Sequence, residues 1–327
     1  MNIVILDSDP AFGSSAVSGG AEPADIDCSA LLGLGNVTSF PHTAQAEVAE
    51  RAANAEVVIT NKVVLGVSEF SRLPRLRMVS VLATGVNVVD LRAAAAQDIL
   101  VCNVPGYSTA STAQHTIALL LELMNHAGEH SAHVHQGHYQ RSPAFSYFLR
   151  PLRELEGKTL GVIGLGAIGT RVAEIARALG MNVLAHTRTT RPGLPFLQVG
   201  LEALLAQSDV VSVHCPLTEH THHLINESRL AQMKPGAYLL NVARGPIVDE
   251  TALADALQRG HLGGAGLDVL QTEPPRQGSP LLGAPRCIIT PHIAWASVEA
   301  RQRLIAVTAQ NIRAYLSGTP QNVVNPA

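Results

Sequence analysis

Short apolar runs alternate with helical patterns along most of the chain, and this alternation is typical of parallel α/β sheets. Four runs in the first part of the chain predict strands: Ile3–Leu6, Val57–Thr60, Met78–Leu82 and Ile99–Cys102. Helical patterns lie between them, near residues 44–54 and 89–97. We therefore expect a doubly wound parallel sheet, of the flavodoxin-like kind, in this part of the chain.

A second α/β series follows a long helix that begins at Ser108. Its strands are expected at residues 160–163, 182–186, 209–213, 237–241, 264–267 and 287–289. An amphipathic helix, Glu299–Leu316, then ends the pattern. The economical place for this helix is against the first domain, which makes that domain discontinuous. The predicted domains are residues 1–104 with 296–327, and residues 105–295.

The strand at residues 160–163 leads directly into a Gly-x-Gly-x-x-Gly turn and then a helix, the order of a dinucleotide-binding fingerprint. Gly164 allows the tight turn, Gly166 lets the backbone approach a pyrophosphate, and Gly169 allows close packing of helix and strand. The turn alone is a weak signal that also occurs in ordinary loops. With both flanking elements present, we interpret the segment as the cofactor site of a central Rossmann domain.

Composition narrows the classes of function. Hydrophobic residues make up 46% and charged residues 15%, which indicates a well-packed soluble protein. A net charge of −3 gives no basic surface for nucleic acid, and no apolar stretch is long enough for a membrane span. Four scattered cysteines without ligand spacing indicate reduced thiols, no metal site and a cytoplasmic location.

Four chemically competent side chains follow predicted strands in the second half: Arg244, Asp268, Glu273 and His292. Open α/β sheets bind ligands beyond the carboxyl ends of their strands. Arg offers a fork for a carboxylate or carbonyl oxygen, and His, supported by a carboxylate, can donate a proton near neutral pH. Taken singly, each of these residues also has a structural explanation. Arg244 could form a surface ion pair, and Asp268 could cap a turn. Glu273 could be a solvated loop residue, and His292 could be structural.

Together with the fingerprint, these segments resemble the D-2-hydroxyacid dehydrogenase family over nearly the whole chain. The matching segments include residues 81–90, 209–218, 233–236, 241–245, 266–269, 273–274 and 291–292. Within the family the chain is most similar to the glycerate dehydrogenases, also called hydroxypyruvate reductases, on residues 60–62, 114–116, 135–137 and 289–296. The resemblance implies reduction of hydroxypyruvate to D-glycerate, and of glyoxylate to glycolate, by a homodimer formed largely by the nucleotide domain and the arm around 105–150.

The resemblance also implies roles for individual residues. Arg244 corresponds to the substrate-binding arginine, Glu273 to the supporting acid and His292 to the proton donor, and backbone N–H groups near Thr84 and Gly85 correspond to the carboxylate-binding loop. Asp268 is expected to meet the cofactor's carboxamide. The other expected cofactor contacts are Thr112, Ala167, Ile168, Cys215, Pro216, Val242 and Ala243.

The chain departs from the NAD-binding pattern at the end of its second nucleotide-domain strand. An acidic residue there usually binds the ribose 2′-hydroxyl, but this chain has Thr187, then Arg188 and Arg191. Hydroxyl and guanidinium groups suit a 2′-phosphate, so NADP(H) is expected to be favoured over NAD(H). The alternative is relaxed specificity, with NAD(H) used as well.

The remaining clusters and the rival functions stay open at this point. The histidines at 126, 130, 133, 135 and 138 are interpreted as a solvated or dimer-interface face, and the aromatics Tyr139, Phe145, Tyr147 and Phe148 could close an active site. Another 2-oxo acid reductase is the enzymatic alternative. A nucleotide-sensing protein like the family's transcriptional corepressors is the alternative of another class, since fold does not fix function.

Overall fold

The structure, a computed structural model, describes residues 1–9, 11–12, 26–189 and 192–325. The chain divides into two compact units. Unit 1 comprises Met1–Ser108 and Ala296–Ala327, and unit 2 comprises Thr109–Trp295. The predicted first division, at residue 104, lies slightly before the observed one. The second predicted boundary lies between residues 295 and 296, where unit 2 ends in the structure.

Unit 1 contains a parallel sheet of five strands in the order β2-β1-β3-β4-β5. The strands are β1 (Asn2–Ile5), β2 (Asn36–Ser39), β3 (Val57–Thr60), β4 (Met78–Val81) and β5 (Leu100–Cys102). The helices are α1 (Ser29–Leu32), α2 (Val48–Arg51), α3 (Val67–Phe70), α4 (Leu91–Ala95) and α11 (Val298–Leu316), with a 3-10 turn at Gln45–Glu47. Strands β3 and β4 are buried along their whole length, as the continuous apolar runs predict.

The C-terminal helix α11 belongs to unit 1, where the apolar face it carries is covered. Leu304, Ile305 and Ile312 are fully buried. The Ser297 side chain caps the helix by accepting a hydrogen bond from the N–H of Ala300, and the Asn311 side chain donates to the carbonyl of Asn103. These bonds close the discontinuous domain that the sequence pattern favours.

Unit 2 contains a parallel sheet of seven strands in the order β12-β11-β10-β9-β6-β7-β8. The strands are β6 (Thr159–Ile163), β7 (Asn182–His186), β8 (Leu197–Gln198), β9 (Val210–Val213), β10 (Tyr238–Asn241), β11 (Gly264–Leu267) and β12 (Cys287–Ile289). The helices are α5 (Thr109–Asn125), α6 (Ala127–His135), α7 (Ala167–Ala178), α8 (Leu201–Gln207), α9 (Glu227–Gln232) and α10 (Glu250–Gln258), with a 3-10 turn at Gly245–Ile247.

The strand order of unit 2 reverses direction between β6 and β9, which are neighbours although two strands separate them in sequence. Such a reversal leaves a crevice beyond the carboxyl ends of the two strands, where open α/β sheets bind ligands. The chain runs outward from this point to β8 on one side and to β12 on the other. Every functional residue predicted for unit 2, except Thr112 on α5, follows one of these strand ends.

The structure confirms the predicted α/β class, with two parallel sheets. The features that were not predicted include edge strands β2 and β8, the short helices α1 and α3, and helix α6, which is separated from α5 by His126 in the left-handed region at φ 51°. Edge strands are short and partly exposed, so they carry little apolar pattern. Within the described part of the chain, every helix is too short or too polar to cross a bilayer.

Candidate active site

Three neighbouring strands carry the predicted reactive residues to one edge of the unit 2 sheet. In the register of the sheet, Asn241 of β10 pairs with Leu267 of β11, and Leu267 pairs with Ile289 of β12. Arg244 and His292 each lie three residues beyond the last residue of their strand. Because parallel strands end at the same side, these residues and the loop after β11 share one edge, which we call the β10–β12 edge.

A buried side chain at the end of β10 holds the Arg244 loop in place. Asn241, 1% exposed, donates from Nδ2 to the carbonyl of Arg244 at 2.9 Å and accepts from the N–H of Ala243 at 3.0 Å. The Arg244 side chain itself is exposed and donates to the carbonyl of Ala243 at 2.7 Å. A guanidinium fork on an anchored loop is suited to hold a carboxylate or carbonyl oxygen.

Gly245 brings the Arg244 loop against the loop that follows β11. A methyl group added at Gly245 would lie 1.9 Å from the carbonyl oxygen of Leu270, a distance that no side chain tolerates. Two backbones therefore touch at this point, and only glycine permits the contact. The contact places the loop that carries Glu273 beside the loop that carries Arg244.

Glu273 and His292 form a hydrogen-bonded pair. The Glu273 Oε2 accepts from His292 Nδ1 at 2.7 Å, and its Oε1 accepts from the N–H of Leu270 at 3.0 Å. The His292 side chain is 24% exposed, so the ring is packed on one side and open on the other. A carboxylate on Nδ1 fixes the orientation and tautomer of the ring and leaves Nε2 free for proton transfer.

Asp268 anchors the His292 loop. This residue is 1% exposed, and its two carboxylate oxygens accept from the Thr290 hydroxyl at 2.6 Å and from the N–H groups of Ile293 and Ala294, both at 2.8 Å. His292, between these donors, is held at φ 56°, in the left-handed region that most residues avoid. The contact with a carboxamide that the resemblance implies for Asp268 stays a prediction. In the structure its partners are groups of the chain.

His115 on α5 extends this anchor. Its Nε2 lies 2.9 Å from the Thr290 hydroxyl and 3.5 Å from Asp268 Oδ1. Because the Thr290 hydroxyl donates to the carboxylate, His115 is the donor toward Thr290. One buried carboxylate thus ties a helix and the His292 loop together.

Beyond β9 along the same carboxyl edge of the sheet, the fingerprint turn has the geometry that a dinucleotide needs. Gly164 has φ 99°, and a methyl group on Gly169 would lie 2.0 Å from the carbonyl oxygen of Gly164. Gly166 differs: a methyl group there would meet nothing within 4 Å, because the position faces open space at the start of α7. No side chain caps this helix, so its first N–H groups are available to an anion. A pyrophosphate fits this cradle.

The loop after β9 closes the crevice at the strand reversal. A methyl group on Gly164 would lie 2.8 Å from the backbone nitrogen of Cys215, so the two loops touch there. His214 contacts the Ser212 hydroxyl through Nε2 at 2.8 Å, and burial lowers the pKa of His214 to about 4. Burial also raises the pKa of the Cys215 thiol to about 11, so this cysteine is a neutral, unreactive wall of the crevice.

The residues after β7 are more open. The Thr187 hydroxyl lies 2.8 Å from the carbonyl oxygen of Thr189 and 3.3 Å from Gln198 Oε1, and Arg188 is exposed. Arg191, the third residue expected here, lies outside the described residues. We call the ends of β6 and β7, with Gly164, Gly166, Thr187 and Arg188, the β6–β7 edge.

The other predicted cofactor contacts occupy the first turns and loops beyond the strand ends. Ala167 and Ile168 are the first residues of α7, with Ala167 exposed. Pro216 follows β9 and is exposed, and Val242 and Ala243 follow β10. Thr112 differs from these, since it is 5% exposed within α5. Their contacts with a cofactor stay predictions.

In unit 1, the Thr84–Gly85 loop follows β4. It is held by the Thr84 hydroxyl, which donates to the carbonyl of Val104 at 2.9 Å, and by Asn103, which donates to the carbonyl of Thr84 at 2.7 Å. Among the described residues, the backbone N–H groups of Thr84 and Gly85 have no acceptor. Two free N–H groups on a fixed loop suit a carboxylate, as the resemblance implies.

The histidines of the arm pack among themselves. His133 and His138 are stacked with ring centroids 3.8 Å apart, and His133 Nδ1 lies 3.1 Å from the Tyr147 hydroxyl. The described residues contain no group of three or more side chains placed to hold a metal ion. Phe145 and Phe148 are 93% and 71% exposed, so their packing partners are not within unit 2.

Sequence reasoning missed the residues that position the reactive ones. Five such residues had no predicted role, although all except Glu250 lie inside segments that carry the resemblance: Asn241, Gly245, Glu250, His115 and Thr290. The signal that was available for Asn241 is a polar residue at the end of an otherwise apolar strand. The contact between His115 and Thr290 could not be predicted, because the two residues are distant in sequence.

The chain matches a known protein family over more than half of its length. Residues 117–294 match the family model described as D-isomer specific 2-hydroxyacid dehydrogenase, NAD binding domain. The matched segment spans more than half of the chain and contains the fingerprint turn, Arg244, Glu273 and His292.

Three related proteins show the extent of the similarity. A hydroxypyruvate reductase of Blautia hydrogenotrophica is 44% identical over 309 residues, 93% of this chain and 96% of that protein. A glycerate dehydrogenase of Methylorubrum extorquens is 43% identical, over 85% of this chain and 88% of its own length. The structure of an NADPH-dependent glyoxylate/hydroxypyruvate reductase of Sinorhizobium meliloti, solved with NADP and malonate, superimposes with a TM-score of 0.82 at 30% identity, covering 99% of this chain and 96% of that chain.

Proposed function

The chain belongs to the D-isomer-specific 2-hydroxyacid dehydrogenase family and is a nicotinamide-dependent oxidoreductase, and we propose that it reduces hydroxypyruvate to D-glycerate and glyoxylate to glycolate. The observation that carries this proposal is the 2.7 Å contact of Glu273 with His292, on the same sheet edge as Arg244. A histidine that is hydrogen-bonded to a carboxylate can donate a proton, and a guanidinium group on the same edge can bind the substrate. Together they are suited to the reduction of a 2-oxo acid. The hydroxypyruvate and glyoxylate reductases among the relatives support this choice of substrates.

In the proposed mechanism, Arg244 binds the carboxylate or keto oxygen of the substrate and polarises its carbonyl group. The N–H groups of Thr84 and Gly85, to which the family resemblance assigns the carboxylate, are the candidate anion-binding groups of unit 1. A bound nicotinamide supplies the hydride that C2 of the substrate accepts. Protonated His292 gives its Nε2 proton to the keto oxygen as that oxygen becomes a hydroxyl, and Glu273 stabilises the imidazolium before the transfer. Oxidation of the 2-hydroxy acid requires neutral His292.

The preferred cofactor in this proposal is NADP(H). Thr187 and Arg188 replace the acidic residue that binds a ribose 2′-hydroxyl, and neither would repel a 2′-phosphate. The NADPH-dependent relative supports the same choice. Arg188→Ala should lower kcat/KM for NADPH about tenfold and leave that for NADH within about twofold, because only the phosphate contact is removed.

The decisive experiment is a matrix of initial rates. Hydroxypyruvate, glyoxylate, pyruvate and phenylpyruvate are each reduced with NADPH and with NADH. The proposal expects the highest kcat/KM for hydroxypyruvate with NADPH. The highest value with pyruvate or phenylpyruvate would identify a different 2-oxo acid reductase, and comparable or better values with NADH would contradict the NADP(H) preference.

One rival function belongs to a different class. If all four acids react at background rates while NADPH binds tightly, the chain is a nucleotide sensor on the same fold. The Glu273–His292 pair argues against a sensor, since binding a nucleotide requires no proton donor. Isothermal titration with NADPH, run beside the rate matrix, separates the two.

Two further parts of the proposal concern assembly and location. We propose a homodimer in which the arm around residues 105–150 covers a second copy, since the exposed rings of Phe145 and Phe148 need a partner surface. Light scattering should give twice the mass of one chain, and Phe145→Ser with Phe148→Ser should shift it toward the single chain. Four free cysteines support a cytoplasmic location.

A further inference from the structure

Glu273 lies in an irregular segment of the chain, and its Oε1 accepts from the N–H of Leu270 just before that segment. It belongs to residues 271–279, a stretch between Leu270 and β12 with neither helix nor strand, and its side chain is 35% exposed. Ordering an irregular segment costs backbone entropy at every residue, so contacts outside the segment help to hold it in one conformation. The position of the segment in turn decides whether Glu273 reaches His292, which it contacts at 2.7 Å.

The anchor in the structure is Glu250, the first residue of α10. It is 7% exposed, although glutamate is rarely buried. Its Oε1 accepts from the N–H of Gln271 at 2.5 Å, and its Oε2 accepts from the Ser279 hydroxyl at 2.6 Å. One carboxylate thus holds the first and the last residue of the 271–279 segment.

The hydrogen bonds of the Glu250 carboxylate indicate that this residue does more than fill space in the core. A buried carboxylate is costly unless donors replace its water, and both donors here belong to the same segment. The start of α10 also favours a negative charge, while Asp249, not Glu250, caps the helix by accepting from the N–H of Ala252. Glu250 is therefore not needed as the cap, and its carboxylate serves the segment.

We propose that Glu250 is a positioning residue for the reaction: its buried carboxylate clamps residues 271–279 and so sets Glu273 against His292. This inference rests on the proposed function, in which Glu273 supports the proton donor. Glu250 does not contact the substrate in this proposal. It acts indirectly, by holding the backbone of Gln271, which precedes Glu273 by two residues. The bonds of Glu250 do not involve the fingerprint turn.

The test compares three variants. Glu250→Ala removes both bonds. Glu250→Gln keeps an oxygen for the Gln271 N–H and offers its amide hydrogens to Ser279. Glu227→Ala is the matched control, since Glu227 is the first residue of α9 but is exposed. We expect Glu250→Ala to lower kcat for hydroxypyruvate reduction about tenfold with KM changed less than about threefold, and the other two to stay near wild type.

A second readout does not depend on activity. Amide hydrogen exchange of the segment is measured in the cofactor-free protein. The Gln271 amide should exchange at least tenfold faster in Glu250→Ala and at the wild-type rate in Glu250→Gln. If Glu250→Ala does not fold, Ser279→Ala takes its place, since it removes only one of the two bonds. This variant should change kcat and the exchange rate in the same direction as Glu250→Ala, but by less.

A double-mutant cycle with Glu273→Gln decides the mechanism. If Glu250 acts through Glu273, Glu250→Ala should lower kcat less than about twofold in the Glu273→Gln background. An equal loss in both backgrounds, or wild-type kcat in Glu250→Ala with only a lower melting temperature, overturns the positioning role. Wild-type kcat in Glu273→Gln alone contradicts the proposed function itself, so the two failures are distinguishable.

Discussion

Two parts of the carboxyl edge of the unit 2 sheet, the β10–β12 edge and the β6–β7 edge, are built by different means. At the β10–β12 edge, buried polar side chains hold the loops: Asn241, Glu250 and Asp268 are at most 7% exposed and bond backbone N–H or carbonyl groups. At the β6–β7 edge, the turn is shaped by glycines and by the start of α7, and no side chain caps the helix.

The difference follows from what each edge must present. A pyrophosphate is recognised by backbone N–H groups, so the β6–β7 edge needs only a backbone that approaches closely. Proton transfer needs particular side-chain atoms at fixed positions, and long side chains on loops must be held by further groups. Adding atoms should therefore impair the function of the β6–β7 edge, whereas removing atoms should impair that of the β10–β12 edge.

The largest expected effect is at the reactive edge. His292→Ala should lower kcat for hydroxypyruvate reduction by about 10²–10⁴-fold, because the proton donor is lost. In the wild type, reduction should slow and oxidation should accelerate as the pH rises, since the two directions need opposite protonation states. Stopped-flow rates in both directions measure this, and NADPH affinity should not change.

The matched control for that variant is His42→Ala, which removes an exposed histidine of unit 1. It should retain wild-type turnover. Substantial turnover in His292→Ala would show that another group donates the proton.

Adding single methyl groups tests the nucleotide edge. Gly166→Ala should weaken NADPH binding at least tenfold and leave the melting temperature unchanged, because the methyl group enters space that is open in the protein. Gly169→Ala should weaken binding and also destabilise the fold by about 1–3 kcal/mol, since its methyl group meets a carbonyl oxygen. Fluorescence titration and thermal melts measure the two effects. Equal melting temperatures for both variants would contradict the distinction.

Asp268→Asn removes one acceptor from the anchor of the His292 loop. An amide has one oxygen, so one of the N–H groups of Ile293 and Ala294 would face another donor. We expect a loss of about 1–3 kcal/mol in the free energy of unfolding and a lower kcat. Urea unfolding and steady-state kinetics measure these. Unchanged stability would mean that the loop has another anchor.

The buried His214 predicts a pH dependence of stability. Its pKa is lowered to about 4 by burial, so on acidification the unfolded chain takes up a proton before the folded protein does. The contribution is full above the unfolded pKa of about 6.5 and is lost as the pH falls toward 4, by at most about 3 kcal/mol. His214→Gln should flatten the unfolding free energy between pH 6.5 and 4 relative to wild type, and an unchanged slope would contradict the assignment.

Much of the fold follows directly from the linear pattern. The predicted bounds of β3, β7, β11 and β12 agree with the structure to the residue, since these parallel strands are short, mostly apolar runs between turns. Helix α6 could not be anticipated, because the left-handed His126 that separates it from α5 leaves no trace in the apolar pattern.

The sequence by itself determined most of the elements, the α/β class and the dinucleotide turn, and it predicted which residues are reactive, because each of these depends on local patterns of a few residues. Only the tertiary structure decided how those residues are held: Glu250 reaches Gln271 and Ser279, and His115 reaches Thr290. These partners lie 21 to 175 positions apart in sequence. Such contacts depend on the order and register of the strands, which packing of the whole sheet fixes and no local pattern encodes.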